Sequence, residues 1–100
     1  MDVKYELRGI LFCWDAEKER LNIRKHGVAF RQATEVFFDP FLVSEDASRK
    51  GEVRDGAVGA DFDFQVLFVV HVAFEGDHIR IISARKALPQ ERRRYEDGND

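Results

Sequence analysis

The sequence predicts an α+β domain in which helices pack on a small antiparallel sheet. Three observations carry that prediction. Residues 64–74 are nearly all β-branched or aromatic, and a second apolar-rich run, 78–84, follows a glycine-containing turn, so the two form a hairpin. Asp15 and Gly27 bracket a stretch of good helix formers as start and stop signals. Leu88-Pro89 breaks the chain before a charged segment suited to a last helix.

The elements justify themselves in chain order. Residues 9–14 read as a short strand, and Asp15 then caps a helix over residues 16–26. Trp14, Leu21 and Val28 fall seven apart, with Ile23 near them, which sketches that helix's apolar face. Phe30, Ala33, Val36 and Phe37 sit at helical spacing in a second helix, which Asp39-Pro40 ends. Residues 41–45 form a further strand, and residues 44–63, with their glycines and scattered charges, read as a flexible stretch. The 64–74 strand is apolar enough to be buried on both faces. Glu75-Gly76-Asp77-His78 offers a two-residue turn with glycine first. The last helix covers residues 90–96, giving the order β-α-α-β-β-β-α.

The turn sets a register. If Glu75 pairs with His78, then Ala73 pairs with Arg80 and His71 with Ile82. His71, Arg80 and Ala84 then share one face of the sheet. Ser83 and Arg85 point the other way unless a bulge re-aims them.

Composition limits the classes of function. One hundred residues make one domain, and 44% hydrophobic with 35% charged residues suits a compact fold. The single cysteine excludes an internal disulfide, no apolar run is long enough for a membrane span, and the N-terminus carries no secretory pattern. A cytoplasmic protein is expected. The net charge of −3 is unevenly spread. Residues 39–63 hold seven acidic and three basic residues, whereas residues 80–95 hold six basic and one acidic. The C-terminal part is either a polyanion-binding surface or a plain solvated basic face.

Three stretches together resemble one family. The first is Trp14-Asp15-x-x-Lys18-x-x-x-Asn22-x-x-Lys25-His26-Gly27-Val28-x-Phe30. The second is Ala33-x-x-Val36-Phe37-x-Asp39-Pro40. The third is Ile79-Arg80-Ile81-Ile82-Ser83-Ala84-Arg85-Lys86-Ala87, followed by Glu91 and Tyr95. Their order and spacing are similar to the BrnT toxins across residues 12–95. The resemblance implies a RelE-like fold with two N-terminal helices and one C-terminal helix, RNA cleavage, and arrest of translation. It further implies neutralisation by BrnA, a ribbon-helix-helix antitoxin through which the complex binds operator DNA. The sequence departs from the family at Arg54-Asp55-Gly56, where a tryptophan usually follows the arginine, and at His71, where an aromatic residue or threonine is common.

Metal-independent RNA cleavage needs a base for the 2′-OH, a cation for the phosphorane and an acid for the leaving 5′ oxygen. Arginine suits the cation role because its fork matches phosphate oxygens and stays charged. The candidate catalytic residues are Arg80 as phosphate stabiliser, Arg85 beside it, and His71 as base or acid. The candidate RNA contacts are Lys86, Arg54, Lys25, His26 and Tyr95. Each has a plainer reading. The arginines can instead bind an acidic antitoxin segment, His71 can be a satisfied core histidine, and His26 can complement a helix C-terminus. Lys18, Asn22 and Lys25 can be a solvated face, and Tyr95 can pack the last helix. Scattered histidines and a lone cysteine leave no metal or cofactor to be expected. Two further toxin-fold readings remain: an interaction module acting on a protein such as DNA gyrase, or a degraded toxin that keeps only antitoxin binding.

Overall fold

The computed structural model describes residues 1–74 and 77–98. Strand β1 (Asp2–Leu7) turns back into β2 (Ile10–Asp15) through Arg8 and Gly9, both at positive φ, 50° and 85°. That pair of left-handed residues matches the twist of a tight hairpin. Helices α1 (Ala16–His26) and α2 (Phe30–Thr34) follow, and a 3₁₀ turn, Glu35–Phe38, extends α2. Strands β3 (Val43–Asp46), β4 (Asp55–Ala60), β5 (Val66–Phe74) and β6 (His78–Lys86) precede α3 (Pro89–Asp97).

The six strands form one sheet in the order β1-β2-β6-β5-β4-β3. The fold is α+β as expected, but the sheet is mixed rather than antiparallel throughout. β2 runs parallel to β6, pairing Phe12 with Ile79 and Cys13 with Arg80. The chain leaves β2 through the helices on one face, re-enters the sheet at its far edge as β3, and returns strand by strand to β6 beside β2, the long crossover that parallel neighbours require.

Two strands lie where none was expected. In β1, Val3, Tyr5 and Leu7 turn to the core while Asp2, Lys4 and Glu6 face water. β4 crosses the stretch read as flexible. Its glycines mark close approach: a Cβ on Gly56 would lie 2.8 Å from Cε1 of Phe68, and one on Gly59 would lie 3.2 Å from Val36. Phe64 falls outside β5 and is 88% exposed at a φ of 66°, so the buried run is shorter than its composition suggests.

The main core lies between the sheet and the helices α1 and α2. Phe12, Trp14, Phe30, Val36, Leu67 and Ile81 are fully buried there. α1 starts as expected, with the Asp15 carboxylate accepting from the Lys18 N–H at 3.0 Å, and stops at Gly27 with φ 73°. Its buried face is not the expected one. Leu21 and Ile23 are about half exposed, at 50% and 45%, while Asn22 is buried. The Asn22 amide donates to the carbonyls of Val28 (2.9 Å) and Ala84 (2.8 Å) and accepts from the Ala84 N–H at 3.1 Å. Helix and central strand are thus joined by hydrogen bonds where apolar packing was expected. α3 lies on the opposite face, tied to β6 by Arg85–Glu91 and to β3 by Arg94–Glu45.

Candidate functional site

Packing of the β5–β6 pair decides where the candidate residues go. Val72 lies opposite Arg80 and His71 opposite Ile81, one step away from the expected pairing of His71 with Ile82. The expected turn itself falls partly outside the described residues. Above the turn the register shifts, so that Val70 meets Ser83 and Ile82 is the extra residue. The reason lies in the core. Ile81 and Ala84 are both buried under the helices, yet a regular strand turns residues three apart to opposite faces. A bulge reconciles them. It also turns Arg80, Ser83 and Arg85 to the other face together.

His71 therefore does not stand beside Arg80. It lies on the helix-covered face, with its ring edge-on to Phe37 at 4.8 Å. Burial holds its pKa below the ordinary value, opposed by the Val69 carbonyl and the charge of Asp55. Arg80 sits toward the β1 edge, where its guanidinium meets Asp2 at 2.9 and 3.3 Å and approaches the Cys13 sulfur at 3.6 Å. The Arg80 hydrogen bond holds Asp2 below the usual carboxylate range.

Arg85 is fixed from two sides. Nη1 and Nη2 donate to the two carboxylate oxygens of Glu91 at 2.7 and 2.9 Å, and Nη1 also donates to the Lys86 carbonyl at 3.2 Å. Its guanidinium carbon lies 4.6 Å from the centre of the Phe68 ring. These bonds use the end of the fork and leave its side edge, Nε–H with one Nη2–H, without a partner among the described residues. Glu91 is buried; burial alone would raise its carboxyl, but Arg85, the Leu88 N–H and Arg94 together hold it below the ordinary range.

Arg85 lines a pocket of about 420 Å³ with Phe68, Val70, Ile82 and Ser83 on the sheet. The opposite wall is the 46–54 segment, which contributes Asp46, Ser48, Arg49 and Arg54. Ile82 and Ser83 also border a second hollow lined by Lys18, Lys25 and His26 of α1. Among the described residues Arg49, Lys18 and Lys25 have no ion-pair partner, whereas Arg54 pairs with Glu52. His26 titrates below its ordinary value because of burial first, then the charges of Lys25 and Arg85, so it is uncharged at neutral pH.

The candidate set thus divides. Arg85, Arg54, Lys25 and His26 come together around the bulge. Arg80 and His71 lie apart from them. Lys86 lines a different hollow with Phe64 and Arg92. The Tyr95 hydroxyl donates to Asp39 at 2.6 Å, and burial together with that carboxylate pushes its pKa up to about 12. Arg49, Asp46, Ser48, Ser83 and Phe68 were absent from the expected set. Only Ser83 had a signal, its place in the Arg-Ile-Ile-Ser-Ala-Arg stretch.

The arrangement offers fixed guanidinium groups and an apolar floor in one concavity, with a neutral imidazole in the hollow that adjoins it at Ile82 and Ser83, which suits a phosphodiester. Among the described residues no three His, Cys, Asp or Glu side chains are grouped to hold a metal ion, and no helix is long and apolar enough to cross a membrane.

Comparison with known proteins bears on this geometry. No curated protein matches the chain. A solved structure, the ribonuclease toxin BrnT of Brucella abortus, matches with a TM-score of 0.58 at 26% identity, over 75% of this chain and 92% of that one. Residues 14–91 match the family described as the ribonuclease toxin BrnT of type II toxin–antitoxin systems. Since that match spans well over half of the sequence, the chain belongs to the BrnT family of ribonuclease toxins.

Proposed function

We propose that the pocket at Arg85 cleaves RNA by attack of a 2′-OH on the adjacent phosphate, without a metal ion. His26, uncharged at neutral pH, accepts the 2′-OH proton. The free side edge of Arg85 holds the non-bridging oxygens as charge builds on the phosphorane. The P–O5′ bond breaks, the leaving oxygen takes a proton from Lys25 or water, and the products are a 2′,3′-cyclic phosphate and a 5′-OH. Arg54 and Arg49 hold neighbouring phosphates. Arg80, expected in the cation role, is engaged with Asp2 instead.

The observation that carries this reading is the clamped guanidinium of Arg85, held by Glu91 and Phe68 with one donor edge to spare. Its preorganisation is what electrostatic catalysis requires.

In this reading the protein has a RelE-like fold and arrests translation by destroying message. Its antitoxin is a BrnA-like ribbon-helix-helix protein whose acidic segment covers Arg85, Arg49 and Arg54, and operator DNA is reached only through that partner. The test is incubation of the purified chain with RNA in EDTA. The expected result is cleavage that Arg85→Ala reduces by roughly 10²–10³. An inactive wild type, or one active only with added divalent metal, overturns the proposal.

A further inference from the structure

Phe64 is held where an aromatic residue is doubly out of place. Its φ of 66° lies in the left-handed region, which suits glycine better than a bulky side chain, and it is 88% exposed. The backbone around it is not loose, because every N–H from Asp61 to Gln65 has an acceptor. Asp61 donates to the Gln65 carbonyl at 2.9 Å and Phe64 to the Asp61 carbonyl at 3.0 Å. Phe62 donates to the Glu35 carboxylate at 2.9 Å, and Asp63 and Gln65 donate to the Asp61 carboxylate at 2.9 and 2.8 Å. Asp61 is itself buried, and its other oxygen accepts from the Gln32 amide at 2.8 Å. A fully bonded turn thus holds an aromatic ring out in water, an arrangement that folding alone does not require.

The charges beside the ring are cationic. Phe64 lines a hollow of about 350 Å³ with Gln65, Val66, Lys86, Ala87 and Arg92. Among the described residues no carboxylate lines it. Lys86 and Arg92 are exposed, and neither has an ion-pair partner among the described residues, whereas their chain neighbours Arg85 and Glu91 pair with each other. The hollow lies at the end of the β5–β6 pair, where β5 begins at Val66 and β6 ends at Lys86. Phe68 and Arg85 of the larger pocket sit on the same two strands.

We propose that Phe64 is a stacking platform for one base of a single-stranded RNA, with Lys86 and Arg92 on the flanking phosphates. Every base has a π-face, so the platform accepts any of the four, and the backbone charge meets the two cations. An apolar protein segment would use the ring and leave both cations without a counter-charge; a nucleotide uses ring and cations together. The purpose of such a platform rests on the ribonuclease reading. Lys86 and Arg92 directly follow Arg85 and Glu91 in the chain, so a strand held at Arg85 is carried past them onto Phe64. Its test does not depend on cleavage.

The probe is a short unstructured 2′-O-methyl oligonucleotide, which has no 2′-OH to attack, and fluorescence anisotropy measures its binding to the full chain. Phe64→Ala is expected to weaken binding roughly tenfold or more, the loss of one stacked base. Phe64→Leu, apolar but without a π-face, should lose as much. Phe64→Trp should bind at least as tightly as wild type, with the emission of the new indole quenched. Phe64→Gly, which fits the left-handed φ, should melt no lower than wild type yet bind as weakly as the alanine variant. Lys86→Gln and Arg92→Gln should each flatten the slope of log K against log salt by about 0.7. A wild type that ignores the probe, or alanine, glycine or leucine variants that bind it like wild type, overturns the platform. If those variants weaken only the binding of a protein antitoxin, Phe64 is a protein-docking residue and the platform is equally overturned. Probe binding that depends on Phe64, in a chain that leaves RNA intact, would keep the platform and sink the ribonuclease reading. Cleavage by a chain whose probe binding is indifferent to Phe64 would do the reverse.

Discussion

The two carboxylate oxygens of Glu91 close on the two terminal nitrogens of Arg85, at 2.7 and 2.9 Å, and join α3 to the central strand. One contact thus serves stability and orients the group proposed to stabilise the phosphorane. Glu91→Gln keeps the shape but removes the charge, and should cost about 1.5–3 kcal/mol, the range for hydrogen bonds to charged groups. The pH dependence has a definite sign. Glu91 has a folded pKa lowered from 4.5, so its contribution is fully present above that value and is lost as pH falls through the folded one. Thermal melts of wild type and Glu91→Gln should differ at pH 7 and converge in acid. A gap that is constant from pH 7 to pH 3 would mean that the pair contributes nothing ionic.

His26 gives the second prediction. Its lowered pKa means that the free base is already dominant at pH 7, so cleavage should rise with pH through a value below 6.5 and level off near neutrality. His26→Gln should lose about 10²–10⁴ in rate. His71→Phe, which keeps an aromatic ring against Phe37, should leave the rate near wild type. Both are read in a single-turnover assay on a defined RNA across pH 5–8. If His71→Phe abolishes cleavage in a folded protein while His26→Gln is active, the base has been assigned to the wrong histidine.

How far the sequence foretold this depended on whether a signal was local. The cap at Asp15, the stop at Gly27 and the β5–β6 hairpin depend on neighbouring residues, and they were legible. β1 was equally local: Asp2-Val3-Lys4-Tyr5-Glu6-Leu7 alternates strictly, but its mixed charges hid the period of two. β4 was illegible because Gly56 and Gly59 are there for Phe68 and Val36, partners distant in sequence. Asn22 looked like part of a polar stripe because its partner, Ala84, is 62 positions away. The site suffered most. A single extra residue at Ile82 reverses the facing of everything between it and the turn, and only the joint burial of Ile81 and Ala84 demands it. Hence Ser83 and Arg85 face away from His71 and Ala84 as the expected register had them, and Arg80 does not share the face of His71.

Gly56 gives the third prediction. An added methyl would stand 2.8 Å from Phe68 Cε1, closer than real contacts allow, and 3.2 Å from Glu45 Cγ, a tight contact. The Phe68 ring would have to move, and Arg85 rests on it. Gly56→Ala should therefore cost about 1–3 kcal/mol, as overpacking does, and should slow cleavage as well. Phe68→Leu in the same chain makes room for the methyl and should recover part of the stability, but not the cleavage rate, since the ring beneath the guanidinium is gone. Equal recovery of both would show that the stacked ring has no role in placing Arg85.

Asn22 gives the last. Its side chain makes three hydrogen bonds in a buried setting, two as donor to Val28 and Ala84 and one as acceptor from Ala84. These tie α1, with Lys25 and His26, to the strand that carries Arg85. Asn22→Ala strands the Ala84 N–H and two carbonyls away from water, and a buried group left unpaired costs about 1–3 kcal/mol. Asn22→Leu should fare no better, because apolar bulk fills the space but satisfies none of the three. Asn22→Asp discriminates further: it keeps the acceptor and loses both donations, so it should be at least as damaging as Ala at pH 7. Denaturant melts of the three variants measure this. The ordering expected is wild type well above Ala and Leu, with Asp lowest. Should Leu prove as stable as wild type, α1 is held to β6 by packing and the hydrogen bonds of Asn22 are incidental.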